Sequence, residues 1–201
     1  QAADIFLLQA NIAHAGIDQR KVHVIAKDAA MQVKTHPLRD SKGNQIKPVV
    51  IHHPILLSLS GPGDGGGEAD EVAMKNKMSK SKPGSGISMH DSPEEIRARI
   101  NEAFAPEGQV EGNPILNWTK YLVFYNDNSL IINRKSEHGG NISYSSYEEL
   151  EKDYADKKLH PQDLKAGVAE WLLKKLEPAR KYFEDPKRKE GLEEIERLTS
   201  G

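Results

Sequence analysis

Apolar side chains in the first quarter of the chain alternate between helical and strand-like spacing. They recur every three to four positions over residues 1–9 and again over 18–33, which predicts two helices. Between these helices, residues 11–16 are predicted to form a buried strand. The β-branched run at residues 48–52 is typical of an inner strand of a parallel sheet. The order strand, helix, strand predicts a βαβ crossover.

Two capping boxes mark helix starts in the second half of the chain. Ser92-Pro93-Glu94-Glu95 adds proline at the first helical position and predicts a helix to about residue 104. Ser146-Tyr147-Glu148-Glu149 predicts a helix that ends near residue 158. Both signals predict helices after the first part of the chain, in which helices and strands alternate.

Other patterns complete this mainly helical second half. An apolar face predicts a helix over residues 113–125, and a short strand is predicted over 130–133. His160-Pro161 begins the longest predicted helix. Its apolar stripe has the spacing of a core-facing surface and is assigned to packing: Leu164, Val168, Leu172, Leu173 and Leu176.

The composition is that of a folded globular protein. The chain has 201 residues, 37% hydrophobic and 29% charged, with a formal net charge of −2, and this length allows one large domain or two small ones. No apolar run approaches the roughly 20 residues of a membrane helix, so we expect no membrane association. Cysteine is absent, which excludes disulfide frameworks, thiolate zinc sites and cysteine nucleophiles and favours a cytoplasmic location.

Positive charge concentrates between residues 75 and 82, where four lysines alternate with small and polar residues. The glycine-rich stretch before it, residues 61–70, lacks the Gly-Lys-Ser/Thr ending of a phosphate-binding loop and is interpreted as a mobile tether. A second basic run at residues 187–189 is interpreted as solvated surface.

The string Lys77-Met78-Ser79-Lys80-Ser81 lies within the first basic run. Short strings of lysine and serine are often only loops. Two lysines and two hydroxyl groups after a flexible approach nevertheless suit a polyphosphate that gains negative charge as its bond to an adenylate breaks. Lysine fits this role because it is a flexible point charge with three donors.

This pentapeptide is a signature of the class I aminoacyl-tRNA synthetases, and other strings resemble the tyrosyl-tRNA synthetases of the archaeal/eukaryotic type. These strings span most of the chain in matching order. They are Gln1-Ala2-Ala3-Asp4-Ile5, Gly16-Ile17-Asp18-Gln19-Arg20-Lys21-Val22-His23, Ser92-Pro93-Glu94-Glu95-Ile96-Arg97, Val110-Glu111-Gly112-Asn113-Pro114-Ile115 and Leu159-His160-Pro161-Gln162-Asp163-Leu164-Lys165.

The resemblance implies an α/β fold with two domains. Residues 1–91 would form the second half of a Rossmann-like catalytic domain, with a parallel sheet and the KMSKS loop, and residues 92–201 a mainly α-helical anticodon-binding domain. The other class I signature, H-I-G-H, does not occur in the sequence. We expect it to precede Gln1 or to lie on a separate chain, together with the first half of the sheet and the segment that usually forms the dimer interface.

The resemblance also implies substrate roles. Asp4 would read the phenol of tyrosine, with Gln1 one helical turn away, and Gln19 would help to hold the ammonium end. Lys77 and Lys80 are the expected catalytic residues, which bind ATP and stabilise the departing pyrophosphate. The full set expected to bind ATP is Lys77, Met78, Ser79, Lys80 and Ser81.

Nucleic-acid contacts are implied at two further places. Arg20 and Lys21 match the contact to the first base pair of the tRNA acceptor stem. His160 and Asp163 match the loop that reads the first anticodon base, a guanine. His138 stands where the family often has an aromatic residue that stacks on that base, and its imidazole offers less stacking area than phenylalanine.

The activity implied is that of a tyrosine–tRNA ligase, which forms tyrosyl-adenylate from tyrosine and ATP and transfers tyrosine to tRNA(Tyr). The expected cofactor is ATP with the Mg²⁺ that it carries, with no metal held by the protein, and the full-length protein is expected to be a homodimer. The pair His52-His53 is a weak metal candidate, because neighbouring strand residues point to opposite faces. Two alternatives stay open: a tryptophan-specific relative and a catalytically silent tRNA-binding fragment.

Overall fold

The computed structural model describes residues 1–62 and 84–199, and these residues form two compact units. The first unit contains residues 1–55, and the second contains residues 56–62 and 84–199. No helix in the described part of the chain is long and apolar enough to cross a membrane.

The first unit is a βαβ arrangement, as the hydrophobic pattern predicts. Strands β1 and β2 pair in parallel, from Ile12 opposite Val49 to Gly16 opposite His53. A 3₁₀ turn, Ile17–Gln19, leads from β1 directly into the crossover helix. The elements are α1 (Ala2–Leu7), β1 (Ile12–Gly16), α2 (Arg20–Ala29) and β2 (Val49–His53).

A small core holds the first unit together, on one face of its sheet. Its buried residues come from α1, β1, α2 and the connection to β2: Ile5, Phe6, Ala13, Ala26, Ala30 and Leu38. The opposite face is exposed at Ile12, Val49 and Ile51. The predicted strand is present as Ile12–Gly16, but the prediction that it is buried holds only for Ala13, because in the described residues this sheet has two strands and one covered face.

The second unit is mainly helical and contains a small antiparallel sheet. Leu130 pairs with Tyr144 and Ile132 with Ile142 in that sheet. The strands are β3 (Leu130–Ile132) and β4 (Ile142–Tyr144). The helices are α3 (Pro93–Glu102), α4 (Pro114–Trp118), α5 (Phe124–Asn126), α6 (Tyr147–Ala155), α7 (Pro161–Phe183) and α8 (Pro186–Thr199).

Helix α7 is the longest element of the second unit and forms the centre of its core. The predicted apolar stripe is buried from Leu164 to Leu173 and partly buried at Leu176, with Leu164 and Val168 at its most enclosed end. Helix α3 packs along α7, and Lys165 Nζ donates to the Asn101 carbonyl at 2.8 Å. Tyr154 of α6 is fully buried, and its hydroxyl lies 2.9 Å from the Pro106 carbonyl oxygen.

The two predicted capping boxes differ in the structure. Ser92 and Glu95 form both reciprocal bonds at the start of α3. At α6 the Ser146 hydroxyl accepts from the Glu149 amide, but the Glu149 carboxylate accepts from Ser145 instead of reaching back to Ser146. The second box is therefore half formed.

The helix predicted over residues 113–125 is interrupted. A π-helical turn, Thr119–Val123, separates α4 from α5. The Thr119 hydroxyl donates to the Ile115 carbonyl at 2.7 Å, a side-chain bond of the kind that perturbs regular helical pairing. Strand β4 and helix α8 have no counterpart in the predicted elements.

Residues 56–62 pack with the helical unit. The Trp118 indole donates to the Leu57 carbonyl at 2.8 Å, and the Leu59 amide donates to the Ser85 carbonyl at 2.9 Å. The units thus divide at residue 55, upstream of the predicted domain boundary at residue 91. Because the KMSKS string lies outside the described residues, the division into catalytic and anticodon-binding parts stays a prediction.

Candidate functional site

An open pocket of about 480 Å³ lies at the N-terminal end of α7 in the second unit. It joins three parts of the chain: the loop between β3 and β4, the turn after α6 and the first turn of α7. The pocket is lined by Arg134, Lys157, Lys158, His160, Gln162 and Asp163. Each of these lining residues carries a charged or polar side chain, which suits an anionic ligand with hydrogen-bonding edges.

His160 and Pro161 fix the start of α7. His160 is the N-cap, and its Nδ1 accepts a hydrogen bond from the Gln162 amide at 3.2 Å. Proline is favoured at the next position because its missing N–H would have no partner in the first turn. Asp163 lies in this first turn, where the helix dipole favours a carboxylate. The predicted residues His160 and Asp163 thus line one pocket.

Arg134 connects the loop after β3 to the helix start. Its side chain is 13% exposed, and its Nη1 lies 3.9 Å from Asp163 Oδ2. Its Nε donates to the Gly140 carbonyl at 2.9 Å, and its amide donates to Asn141 Oδ1 at 3.1 Å. The guanidinium is therefore held by the loop and faces the carboxylate.

Two lysines follow α6 on the same wall. Lys157 has a positive φ of 60°, which turns the chain toward α7. Lys158 Nζ lies 3.0 Å from Asp156 Oδ2, and this hydrogen bond raises the lysine pKa above its ordinary value. The Lys158 side chain therefore presents positive charge at neutral pH.

His138 belongs to the same loop as Arg134. It ends a 3₁₀ turn, Ser136–His138, followed by Gly139 in the left-handed conformation. Its side chain is not among the described parts, so its stacking role stays a prediction. Three pocket residues were not predicted from the sequence: Arg134, Lys157 and Lys158. The Lys157-Lys158 pair next to His160-Pro161 was a local signal, and Gln162 lies within the string that resembles the family.

The residues expected to bind tyrosine lie in the first unit. Gln1 and Asp4 occupy the first turn of α1, with the Gln1 main-chain nitrogen 3.3 Å from Asp4 Oδ2 and both side chains exposed. Gln19 ends the 3₁₀ turn before α2, and its Nε2 donates to Asp18 Oδ2 at 3.1 Å. Gln1 and Asp4 thus share one turn, whereas Gln19 has a separate partner.

Arg20 and Lys21 begin α2, and both are exposed. One turn later, His23 is buried, and its Nδ1 lies 3.0 Å from His52 Nε2 at the end of β2. The pKa of His52 is lowered, mainly by burial and then by the nearby charges of His23, Arg20 and His14. In the described residues, no three histidine, cysteine or acidic side chains form a group that could hold a metal.

The KMSKS string, residues 77–81, lies outside the described residues. The expected roles of Lys77, Met78, Ser79, Lys80 and Ser81 therefore rest on the sequence.

Comparison with known families identifies the relationship. Residues 1–177 match the family described as tRNA synthetases class I (W and Y). The chain belongs to this family. The letters stand for tryptophan and tyrosine, so family membership is compatible with either amino acid.

Two curated relatives are named tyrosine–tRNA ligase. The tyrosine–tRNA ligase of Pyrococcus furiosus is 48% identical over 189 residues, covering 92% of this chain and 50% of the relative. That of Aeropyrum pernix is 44% identical over 201 residues, covering 98% of this chain and 52% of the relative. The chain thus spans about half the length of the curated relatives that it matches.

A solved structure shares the fold. The tyrosyl-tRNA synthetase of Pyrococcus horikoshii, crystallised with L-tyrosine, superimposes with a TM-score of 0.85 at 45% identity. The match covers 96% of this chain and 53% of that one. The α/β fold expected from the sequence is confirmed: a parallel βαβ portion and a helical portion, as in the synthetases.

Proposed function

We propose that this chain is the part of a tyrosine–tRNA ligase that carries the KMSKS loop and reads the anticodon. The observation that supports this most strongly is the match of residues 1–177 to the class I family, together with relatives named for tyrosine at 44–48% identity. The complete ligase would activate tyrosine with ATP, release pyrophosphate and transfer tyrosine to tRNA(Tyr).

In the proposed activation step, the two signature lysines act on the phosphates. Lys80 would contact ATP and Lys77 would assist, because negative charge grows on the pyrophosphate as its bond to the adenylate breaks. ATP would bring its own Mg²⁺, and the proposal requires no metal held by the protein. Catalysis would come from positioning and electrostatics, without a covalent enzyme intermediate.

Selection of tyrosine would depend on Asp4. A carboxylate that accepts the phenolic proton is left without a partner when phenylalanine binds, and a buried unpaired acceptor is costly. Gln1 stands one turn away on the same helix, and Gln19 would hold the ammonium group. The indole of tryptophan does not present a hydroxyl donor at that position, which disfavours the tryptophan alternative.

The tRNA would contact both units. Arg20 and Lys21 are exposed at the start of α2, as a contact to the acceptor stem requires. The pocket at the start of α7 has cations for phosphate and the Asp163 carboxylate for a base edge. We assign residues 1–91 to the catalytic domain and residues 92–201 to the anticodon-binding domain of a cytoplasmic homodimer.

Tyrosine-dependent exchange of pyrophosphate into ATP tests the activation step. The chain would be joined to the upstream half of the Pyrococcus furiosus relative and measured beside the chain alone, with Asp4→Asn and Lys80→Gln as variants. We expect exchange by the joined protein with tyrosine, slower exchange by about 10² in Lys80→Gln, and weaker preference for tyrosine over phenylalanine in Asp4→Asn.

The alternatives give different results in the same assay. Exchange that depends on tryptophan would establish the tryptophan-specific relative. Absence of exchange with every amino acid, together with tRNA binding by the chain, would establish a silent tRNA-binding fragment.

A further inference from the structure

The Arg134 side chain in the α7 pocket is 13% exposed and has partners on two parts of the chain. Three of its groups have separate partners: the amide, Nε and Nη1. Two of these partners, Asn141 Oδ1 and the Gly140 carbonyl, belong to its own loop, and the third is Asp163 on α7. Because the guanidinium is planar, the Nε bond to the loop fixes where Nη1 lies.

The loop is built to hold this arginine. Gly139 has φ of +88° and Gly140 has φ of +71°, both in the left-handed region. The Gly140 amide donates to the Lys135 carbonyl at 3.1 Å, which closes the loop and directs the Gly140 carbonyl to Nε. A side chain at Gly139 would be strained by its φ, and its Cβ would lie 3.5 Å from Nη2.

Asp163 keeps capacity for a ligand beside this arginine. Within the described residues, the polar contact of its carboxylate is the ion pair with Arg134, and 3.9 Å is longer than a hydrogen bond. A carboxylate has about four lone-pair sites on its two oxygens. The Asp163 side chain is 26% exposed. Among the described side chains, the carboxylate thus faces the Arg134 charge and accepts no hydrogen bond.

We propose that Arg134 is a positioning residue for base recognition: it holds the Asp163 carboxylate toward the first anticodon base without contacting that base. This inference rests on the proposed function. It adds Arg134 as a residue on which discrimination between anticodon bases depends. The ligand chemistry is a base edge with two adjacent N–H donors, as in the N1–H and N2–H₂ groups of guanine. Lys157, on the same wall, would contact phosphate without reading the base.

The test is binding of anticodon stem-loop RNAs to the full chain. Four RNAs differ only at the first anticodon base, which is guanine, inosine, adenine or cytosine, and inosine lacks the N2 amino group. The Arg134→Lys variant keeps the positive charge and removes the planar guanidinium with its fixed donor geometry. The Lys157→Gln variant is the matched control. Circular dichroism and thermal unfolding confirm that each variant is folded before binding is measured.

We expect the unaltered chain to prefer the guanine RNA over the adenine RNA by at least about tenfold, with inosine between them. Arg134→Lys should lose most of this preference while its affinity for the adenine RNA changes less than about threefold. Lys157→Gln should weaken the binding of all four RNAs by a similar factor and reduce the salt dependence of binding. The preference for guanine should be retained.

A double variant separates positioning from direct contact. If Arg134 acts through Asp163, adding Arg134→Lys to Asp163→Asn should cause no further loss of the guanine preference. An additive loss, an equal weakening of all four RNAs by Arg134→Lys, or an unchanged preference in that variant would overturn the role of Arg134. No preference in the unaltered chain would overturn the proposed anticodon role and this inference together.

Discussion

At the residue scale, each unit contains a buried polar contact with defined partners. In the first unit, His23 and His52 lie 3.0 Å apart between nitrogens, a distance at which one ring donates and the other accepts. In the second unit, the Tyr154 hydroxyl joins the Asn113 amide to the Pro106 carbonyl. Burial raises the pKa of Tyr154, so its hydroxyl stays a donor at neutral pH.

The histidine pair predicts that the first unit loses stability in mild acid. The folded pKa of His52 is below its ordinary value, so the unfolded chain binds a proton more readily. Stability is therefore full above pH about 6.5 and falls as the pH drops from there toward the folded pKa. NMR titration of His52, with hydrogen exchange of the β1 and β2 amides at pH 5 and 7.5, measures both effects.

The matched variant for this prediction is His52→Gln, which keeps a polar group and cannot titrate. It should flatten the pH dependence of exchange in β1 and β2. An apparent pKa of His52 at or above the ordinary histidine value would contradict the prediction.

At the element scale, close packing of α7 against β3 depends on a glycine. Gly167 of α7 lies against Ile132 of β3, which is fully buried. A Cβ added to Gly167 would lie 2.8 Å from Ile132 Cγ1. Alanine is favoured over glycine in helices by about 1 kcal/mol, but here the contact outweighs that preference. The glycine thus sets the distance between helix and strand.

Gly167→Ala should lower the free energy of unfolding by about 1–3 kcal/mol, because the strand or helix must shift. Gly191→Ala in α8 is the control, since in the described part of the chain no atom beyond its chain neighbours and the nearby backbone of α8 lies within 4 Å of the added Cβ. That variant should be neutral or more stable by up to about 1 kcal/mol. Urea denaturation of both proteins measures the difference, and equal effects of the two substitutions would refute the packing argument.

Elements were predictable where the chain carries strong local signals. Pro93–Glu102 and Pro161–Phe183 begin with a cap and proline and appear as expected. Ile142–Tyr144 has only three residues, too few to show a two-residue period, and it becomes a strand by pairing with β3. Pro186–Thr199 is dominated by charged residues, so its helical period was hidden.

At the scale of the whole molecule, the described chain separates two kinds of chemistry. The first unit carries the residues expected to read tyrosine and the acceptor stem. The second carries the cationic pocket at the start of α7. His160 and Asp163 could be predicted because the string that contains them resembles the anticodon-reading loop of the family. The place of Arg134 in the pocket could not be predicted. The β3–β4 loop that carries it is distant in sequence from α7, and no local pattern spans that distance.

Transfer of tyrosine to tRNA(Tyr), by the chain joined to the upstream half of its Pyrococcus furiosus relative, tests the proposed ligase activity in one assay. We expect tyrosyl-tRNA only when this chain is present, with no charging by tryptophan and reduced charging when the first anticodon guanine is replaced. Charging with tryptophan, or a joined protein that binds tRNA(Tyr) and never charges it, would contradict the assignment as a tyrosine–tRNA ligase.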